Sequence, residues 1–257
     1  MKHLLSQLHE LEKKLRGGAI LLLDYDGTLT PIVKRPELAV LPSDTRELLK
    51  SLVRHFKVVI ISGRSLDDVK AHTGLKGVYY VGNHGLEISG PGIKLVKLQA
   101  KRVRPLITDV CKKLSGELGG ISDAIIMNKG LTATVHYRLV ARRKVKGLKK
   151  IFEKTVKPYI NSGVVRVGRG KKVLEIMPNV DWDKGKAALW IIEVVDPDGK
   201  LTPVYIGDDQ TDEDAFLMLK KRGITILVSE KLKKSHAKFY LKNVDEVKEF
   251  LEKLARR

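Results

Sequence analysis

The feature that most constrains this chain is the run Ala19-Ile20-Leu21-Leu22-Leu23, which leads directly into Asp24-Tyr25-Asp26-Gly27. Five apolar residues with no polar alternation read as a strand buried on both faces, and such strands belong to parallel sheets covered by helices on either side. Carboxylates have no place inside it. Asp24 and Asp26 therefore stand where the strand ends, and Gly27 lets the chain curl there so that both address one spot beyond the sheet edge. A lone Asp-x-Asp-Gly is more often a turn than a catalytic site, because Asp and Gly dominate turns, so the rest of the sequence has to decide.

Further short, apolar, β-branched stretches at Val58–Ile61, Val78–Val81, Val204–Ile206 and Ile224–Val228 extend the pattern. Helices fall between them: Ser43 opens one, Ser65-Leu66-Asp67-Asp68 resembles a capping box, and Asn243 followed by Glu246 opens the last. The N-terminal Leu4, Leu8, Leu11 and Leu15 have helical spacing, with Gly17-Gly18 as the stop, so this segment is an amphipathic helix and not a signal peptide. Alternation of strand and helix gives an α/β fold, a doubly wound parallel sheet.

The middle of the chain has another rhythm. A helix near Gln99–Leu118, strands around Ala124–Asn128 and Leu131–Leu139, a second helix, and strands at Val164–Val167 and Val173–Ile176 form an αββαββ order. That order describes a compact α+β insert, which places a smaller domain at 98–179 within a core made of 1–97 and 180–257. The formal net charge of +19 is concentrated there: Leu98 to Asn179 carry 19 Lys and Arg against 5 Asp and Glu. In the second helix Val145, Leu148, Phe152, Val156 and Tyr159 form an apolar stripe and lysines and arginines cover the remainder. Such a charge attracts nucleic acid, a membrane surface or an anionic small substrate, or is simply solvated. With 43% hydrophobic and 31% charged residues the composition is that of an ordinary globular chain, and no apolar run reaches the roughly 20 residues of a membrane span. The single cysteine, Cys111, excludes an internal disulfide and a multi-cysteine metal site, which makes a reducing cytoplasm the expected compartment.

Three more stretches lie at or just beyond the ends of core strands, where open parallel sheets bind ligands: Ile61-Ser62-Gly63-Arg64, Val180–Ala187 with Lys184, and Ile206–Phe216 with Asp208 and Asp209. Ser62-Gly63 alone is a turn, Lys184 alone a solvated cation, and Asp212, Glu213 and Asp214 alone a helix N-terminus. Together, in order, they are specific. Carboxylates converging on one point repel one another unless a cation sits among them, and oxygen ligands suit Mg²⁺. Lys184 and Ser62 then hold an anion against the metal, and a carboxylate facing a metal-bound phosphate is an activated nucleophile; the reaction class is phosphoryl transfer.

These residues resemble the four motifs of the haloacid dehalogenase superfamily: Asp24-Tyr25-Asp26-Gly27-Thr28-Leu29, Ser62, Lys184 and Gly207-Asp208-Asp209. The resemblance implies Asp24 as nucleophile, Asp26 as general acid and base, and Ser62 and Lys184 as ligands of the transferring phosphoryl group. It also implies Mg²⁺ bound by Asp24, the Asp26 carbonyl and Asp208, with Asp209 or Asp212 in support, and an insert acting as cap. More narrowly, ISGRSLDDV, VGNHGLEI, NKGLTATVHYR, VLEIMP and GDDQTDEDAF are similar to the trehalose-6-phosphate phosphatase family, although Met177 stands where members often carry a basic residue. This implies Arg64, His84, Lys129, His136, Arg138 and Glu175 as substrate contacts. Alternation agrees in part, since it puts Thr132, Thr134, His136 and Arg138 on one polar face of a strand.

The function expected is therefore a Mg²⁺-dependent phosphomonoesterase acting on a small sugar phosphate, in a monomer that engages neither nucleic acid nor membrane. Sucrose phosphate and mannosylglycerate phosphate are the competing substrates. A polyanion-binding module on a degenerate core is the competing class, disfavoured because the insert has only Tyr137, Phe152 and Tyr159 as aromatic residues and no stacking platform.

Overall fold

The computed structural model describes residues 1–256 of the chain, which divide into two compact units. The first comprises Met1–Leu95 and Trp182–Arg257, the second Val96–Asp181. In chain order the first unit runs β1 (Lys2–His3), α1 (Leu8–Lys14), β2 (Ala19–Asp24), α2 (Ser43–Leu52), β3 (Lys57–Ile61), α3 (Leu66–Thr73), β4 (Tyr79–Gly82), β5 (Glu87–Gly90) and β6 (Ile93–Val96). The second unit follows with α4 (Leu98–Leu118), β7 (Ile125–Asn128), β8 (Ala133–His136), α5 (Arg142–Asn161), β9 (Val165–Gly170) and β10 (Val173–Pro178). The chain then returns to the first unit for α6 (Lys184–Val195), β11 (Thr202–Gly207), α7 (Asp212–Leu219), β12 (Ile224–Val228), β13 (Phe239–Leu241) and α8 (Val244–Ala255).

The first unit is built on a nine-stranded sheet in the order β1-β13-β12-β11-β2-β3-β4-β5-β6. Pairing is parallel from β1 through to β4 and turns antiparallel at β4/β5. Every residue of β2 is buried, as its unbroken apolar run requires. Its alternate residues feed two separate cores: Leu21 and Leu23 pack with Val58, Ile60, Val204, Ile206 and Phe250, while Ile20 and Leu22 pack with Val59, Ile61, Ala188, Ile191 and Phe216. Helices thus cover both faces, the doubly wound arrangement read from the sequence.

The second unit is a four-stranded antiparallel sheet, β7-β8-β10-β9, with α4 and α5 on one face. Ala133, Val135, Leu174 and Ile176 point to the helices and meet Ile107, Leu114, Leu148 and Phe152. Among the described residues no helix is long and apolar enough to cross a membrane.

Three local expectations are corrected. The N-terminal leucines do not lie on one continuous α-helix, because Leu4–Gln7 form a 3₁₀ turn before α1. Ser43 opens α2 as expected, as its first helical residue, and Ser65 and Asn243 cap their helices, accepting bonds from the Asp68 and Glu246 amides. The strand expected at Leu131–Leu139 is confined to β8, so Arg138 lies beyond its end. The edge strands β5 and β6 are additional; their turn is Gly90-Pro91-Gly92, with Gly92 at φ +72.

Candidate active site

Parallel register gathers the catalytic candidates. Asp24, the last residue of β2, lies opposite Ile61 of β3, and Leu23 lies opposite Ile206 of β11. The residues just past the neighbouring strand ends, Ser62 on one side and Asp208 on the other, therefore flank Asp24 at the carboxyl edge of the sheet. The turn after β2 closes through Thr30, whose carbonyl accepts from the Gly27 amide at 2.7 Å and whose amide donates to Tyr25 at 3.0 Å. Gly27 sits at φ +96, and a Cβ there would come within 2.2 Å of the Asp208 Oδ2. Only glycine permits this approach.

Lys184 enters as the first residue of α6, whose start is fixed by Asp183 accepting from the Lys186 amide at 2.8 Å. The close crossing of α6 on α7 needs Gly185, where a Cβ would lie 2.6 Å from the Asp214 carbonyl oxygen. The buried Lys184 ammonium donates to Asp24 Oδ1 at 2.8 Å and to Asp212 Oδ1 at 2.9 Å. Asp212 is saturated: it also accepts from the Tyr205 hydroxyl at 2.8 Å and from the amides of Asp208 and Asp209 at 2.9 and 3.1 Å. It organises the site more than it offers ligand atoms. A Cβ on Gly207 would fall 2.3 Å from the Asp212 carboxyl carbon, so Gly207 is what lets Asp212 reach under the loop.

Asp24, Asp208 and Asp212 are all buried, with oxygens within 4.8 Å of one another. Three carboxylates against one ammonium leave negative charge uncompensated. Burial, then the carboxylates of Asp212, Asp208 and Asp209, push the Asp24 pKa well above the ordinary range, with Lys184 opposing. Burial alone would lower the Lys184 pKa, but the combined negative field of Asp212, Asp24 and Asp209 holds it strongly basic. Asp209, only partly buried, is held below the usual carboxylate range by Lys184 and by its bond from Thr211, against its own desolvation. The Asp24 Oδ2 is buried and has no hydrogen-bond partner. A desolvated, unpartnered carboxylate oxygen in an over-acidic pocket is an oxygen donor for a hard divalent cation, so the residues fit the expected metal.

Asp26 and Arg64 are joined. The Arg64 Nε and Nη2 donate to the two Asp26 oxygens, each at 2.8 Å. Nη1 donates to Asp68 at 2.8 Å and Nη2 also to the Pro36 carbonyl at 2.8 Å, and the guanidinium lies 5.3 Å over the Tyr25 ring. Arg64 was expected to contact substrate; its guanidinium is instead buried and engaged within the core unit, because the end of β3 delivers it beside the turn after β2. Ser62 Oγ accepts from the Arg64 amide at 3.1 Å. Asn83 and His84 both have left-handed backbones, φ 48 and 57, a strained pair of non-glycine residues beside the site. The His84 ring lies against Gly63, where a Cβ would be 2.6 Å from it.

In the second unit, the sheet face away from α4 and α5 holds Lys129, Thr134, His136 and Glu175. Glu175 is opposite Thr134 in register and accepts from Lys129 Nζ at 3.1 Å, and Thr134 Oγ1 is 3.1 Å from His136 Nε2. The Met177 methyl closes against Gly168 on β9. Arg138 does not join this group by any bond shown; it is exposed and donates to the Lys171 carbonyl at 2.6 Å. Sequence reasoning missed Tyr205, Asp183 and the hub role of Asp212. Only Asp183 carried a signal, an Asp at the cap position ahead of Lys184.

Residues 22–245 match the family profile described as trehalose-phosphatase. A curated relative from Zea mays, trehalose 6-phosphate phosphatase RA3, is 36% identical over 269 residues, spanning 98% of this chain and 74% of its own. The solved C-terminal domain of the C. albicans trehalose-6-phosphate phosphatase superposes with a TM-score of 0.83 at 24% identity, covering 99% of this chain and 98% of that one. A haloacid dehalogenase-like hydrolase from Bacteroides thetaiotaomicron shares the fold at 17% identity, with a TM-score of 0.63 over 92% of this chain and 99% of its own.

Proposed function

We propose that this chain, which belongs to the trehalose-phosphatase family, hydrolyses trehalose 6-phosphate to trehalose and phosphate through a phosphorylated Asp24. The observation that carries the reading is the Asp24 carboxylate, with one oxygen bonded to Lys184 and the other buried and unpartnered at the carboxyl edge of the sheet. Mg²⁺ held by Asp24, Asp208 and the Asp26 backbone carbonyl would supply the positive charge that screens nucleophile from phosphate when bound.

In this reading an Asp24 oxygen attacks phosphorus, the P–O bond to the sugar breaks, and Asp26 gives its proton to the departing sugar oxygen. Asp26, now a carboxylate, takes a proton from water as that water attacks phosphorus and releases Asp24. Lys184, kept charged by Asp212, neutralises the transferring group together with the Ser62 hydroxyl. The polar face of the inserted unit, with Lys129, His136 and Glu175, is proposed to receive sugar hydroxyls, and His84 to assist from the core.

The test is phosphate release by purified protein with Mg²⁺ from trehalose 6-phosphate, sucrose 6-phosphate, mannosylglycerate phosphate, glucose 6-phosphate and an aryl phosphate. A preference for trehalose 6-phosphate in kcat/KM supports the assignment. A preference for another sugar phosphate moves it, and no turnover of any of them refutes it.

A further inference from the structure

We infer that Arg64 is a positioning residue for Asp26, fixing the carboxylate that exchanges protons with the leaving group, and that it does not touch the substrate. The inference rests on Asp26 having the role proposed above. All five guanidinium N–H groups have acceptors or ring partners: two on Asp26, one on Asp68, one on the Pro36 carbonyl, and a fifth toward His72 at 3.4 Å from Nη1. None is left for a phosphate or a sugar hydroxyl.

The geometry is that of a clamp. The Arg64 side chain is 7% exposed, while the Asp26 side chain it grips is 37% exposed. A half-exposed aspartate on a turn samples several rotamers, whereas a two-point fork fixes the plane of its carboxylate as well as its place. The fork is itself fixed. The Arg64 amide donates to Ser62 Oγ, its carbonyl accepts from the Asn83 amide at 2.6 Å, and Ser65 caps α3 immediately after it. Asp68, on the first turn of that helix, holds the far side of the guanidinium. Each Asp26 oxygen accepts one bond from Arg64 and keeps a second lone-pair direction for the reacting oxygen.

A residue that aims a general acid has a signature that a substrate ligand lacks: its loss scales with how badly the leaving group needs a proton. A sugar alkoxide needs one and an activated aryl oxide does not. The experiment compares wild type, Arg64→Lys, Arg64→Ala and Asp68→Asn by rapid-mix kinetics, using trehalose 6-phosphate, glucose 6-phosphate and an activated aryl phosphate. For Arg64→Lys, kcat on whichever alkyl phosphate the wild type accepts should fall on the order of a hundredfold, within the range general acid catalysis supplies, with KM unchanged. The aryl phosphate burst should keep its rate while its steady state slows, since the second step still needs Asp26 to activate water. Asp68→Asn, which leaves Asp26 untouched, should show the same pattern in weaker form, and guanidinium ion should partly restore Arg64→Ala.

A raised KM at intact kcat places Arg64 on the substrate and overturns the inference. Equal losses for alkyl substrates and the aryl burst mean a merely structural role, and full activity means none; both overturn it as well. Wild type that accepts glucose 6-phosphate but not trehalose 6-phosphate removes the substrate assignment alone, because the leaving-group comparison is still made. Wild type inert toward every phosphomonoester overturns both.

Discussion

Replacing Lys184 by methionine keeps the aliphatic stem and removes the ammonium that bonds Asp24 at 2.8 Å and Asp212 at 2.9 Å. All three side chains are nearly inaccessible, at 2%, 5% and 0%. Removing one partner of a buried ion pair costs about 3–5 kcal/mol, because the surviving charge is neither hydrated nor matched. Two carboxylates are stranded here, so the upper half of that range applies. At about 2–4 °C per kcal/mol for a chain of this size, the melting temperature of the core unit should fall by roughly 8–20 °C. The pH dependence follows in sign. Burial and the neighbouring carboxylates already raise the Asp24 pKa in the folded chain, and Lys184 is the group that opposes them. A carboxyl raised on folding subtracts stability above its unfolded pKa, near 4, and ceases to do so as pH falls and the folded state takes up the proton. Without Lys184 that subtraction grows, so the deficit of Lys184→Met should be large at neutral pH and shrink toward pH 5. Adding Asp24→Asn to Lys184→Met should recover part of the loss, because the amide leaves Asp212 and Asp208 without one buried negative neighbour. Differential scanning calorimetry in chelator measures wild type, Lys184→Met, Asp24→Asn and the double variant. A change below about 2 °C, or a deficit as large at pH 5 as at pH 7.5, would refute the charge-compensation argument.

Gly27→Ala should lose metal-dependent activity and about 1–3 kcal/mol of stability, because a left-handed backbone and a Cβ 2.2 Å from Asp208 Oδ2 coincide there; phosphatase assay and thermal melts check both. Glu175→Ala should lower kcat/KM for trehalose 6-phosphate roughly ten- to a hundredfold, leaving a small aryl phosphate unaffected, with steady-state kinetics as the check. Arg138→Ala should do less than that, since Arg138 is exposed and bonded to a backbone carbonyl. Neutralising Lys144, Lys146, Lys149 and Lys150 on α5 should alter only the salt dependence and the rate of association, read from kcat/KM across ionic strength.

Periodicity and strand-end logic made much of this legible. The apolar run before Asp24 is buried on both faces because β2 is a central strand, and the αββαββ rhythm of the insert survives as α4-β7-β8-α5-β9-β10. Strand ends were enough to bring Asp24, Ser62 and Asp208 into one neighbourhood, since parallel register does the gathering, whereas Lys184 does not follow a core strand as expected but enters on α6, after β10 of the antiparallel sheet. What escaped depends on contacts that sequence spacing does not encode. Arg64 reads as a substrate cation until its 38-residue separation from Asp26 closes in space. Asp212 reads as a carboxylate attracted to a helix start until four donors converge on it: the Lys184 ammonium, the Tyr205 hydroxyl and the amides of Asp208 and Asp209. The β5–β6 edge was missed because its residues alternate polar and apolar over runs of only four.

The central claim is that Asp24 carries the phosphoryl group. Wild type and Asp26→Asn should be mixed with trehalose 6-phosphate and Mg²⁺, quenched in acid within the first turnover, digested, and read by mass spectrometry. Phosphate on the peptide containing Asp24, removable by hydroxylamine and absent from Asp24→Asn, is the result predicted. Steady turnover with no label on that peptide at any quench time, or Asp24→Asn retaining activity within tenfold of wild type, would contradict it.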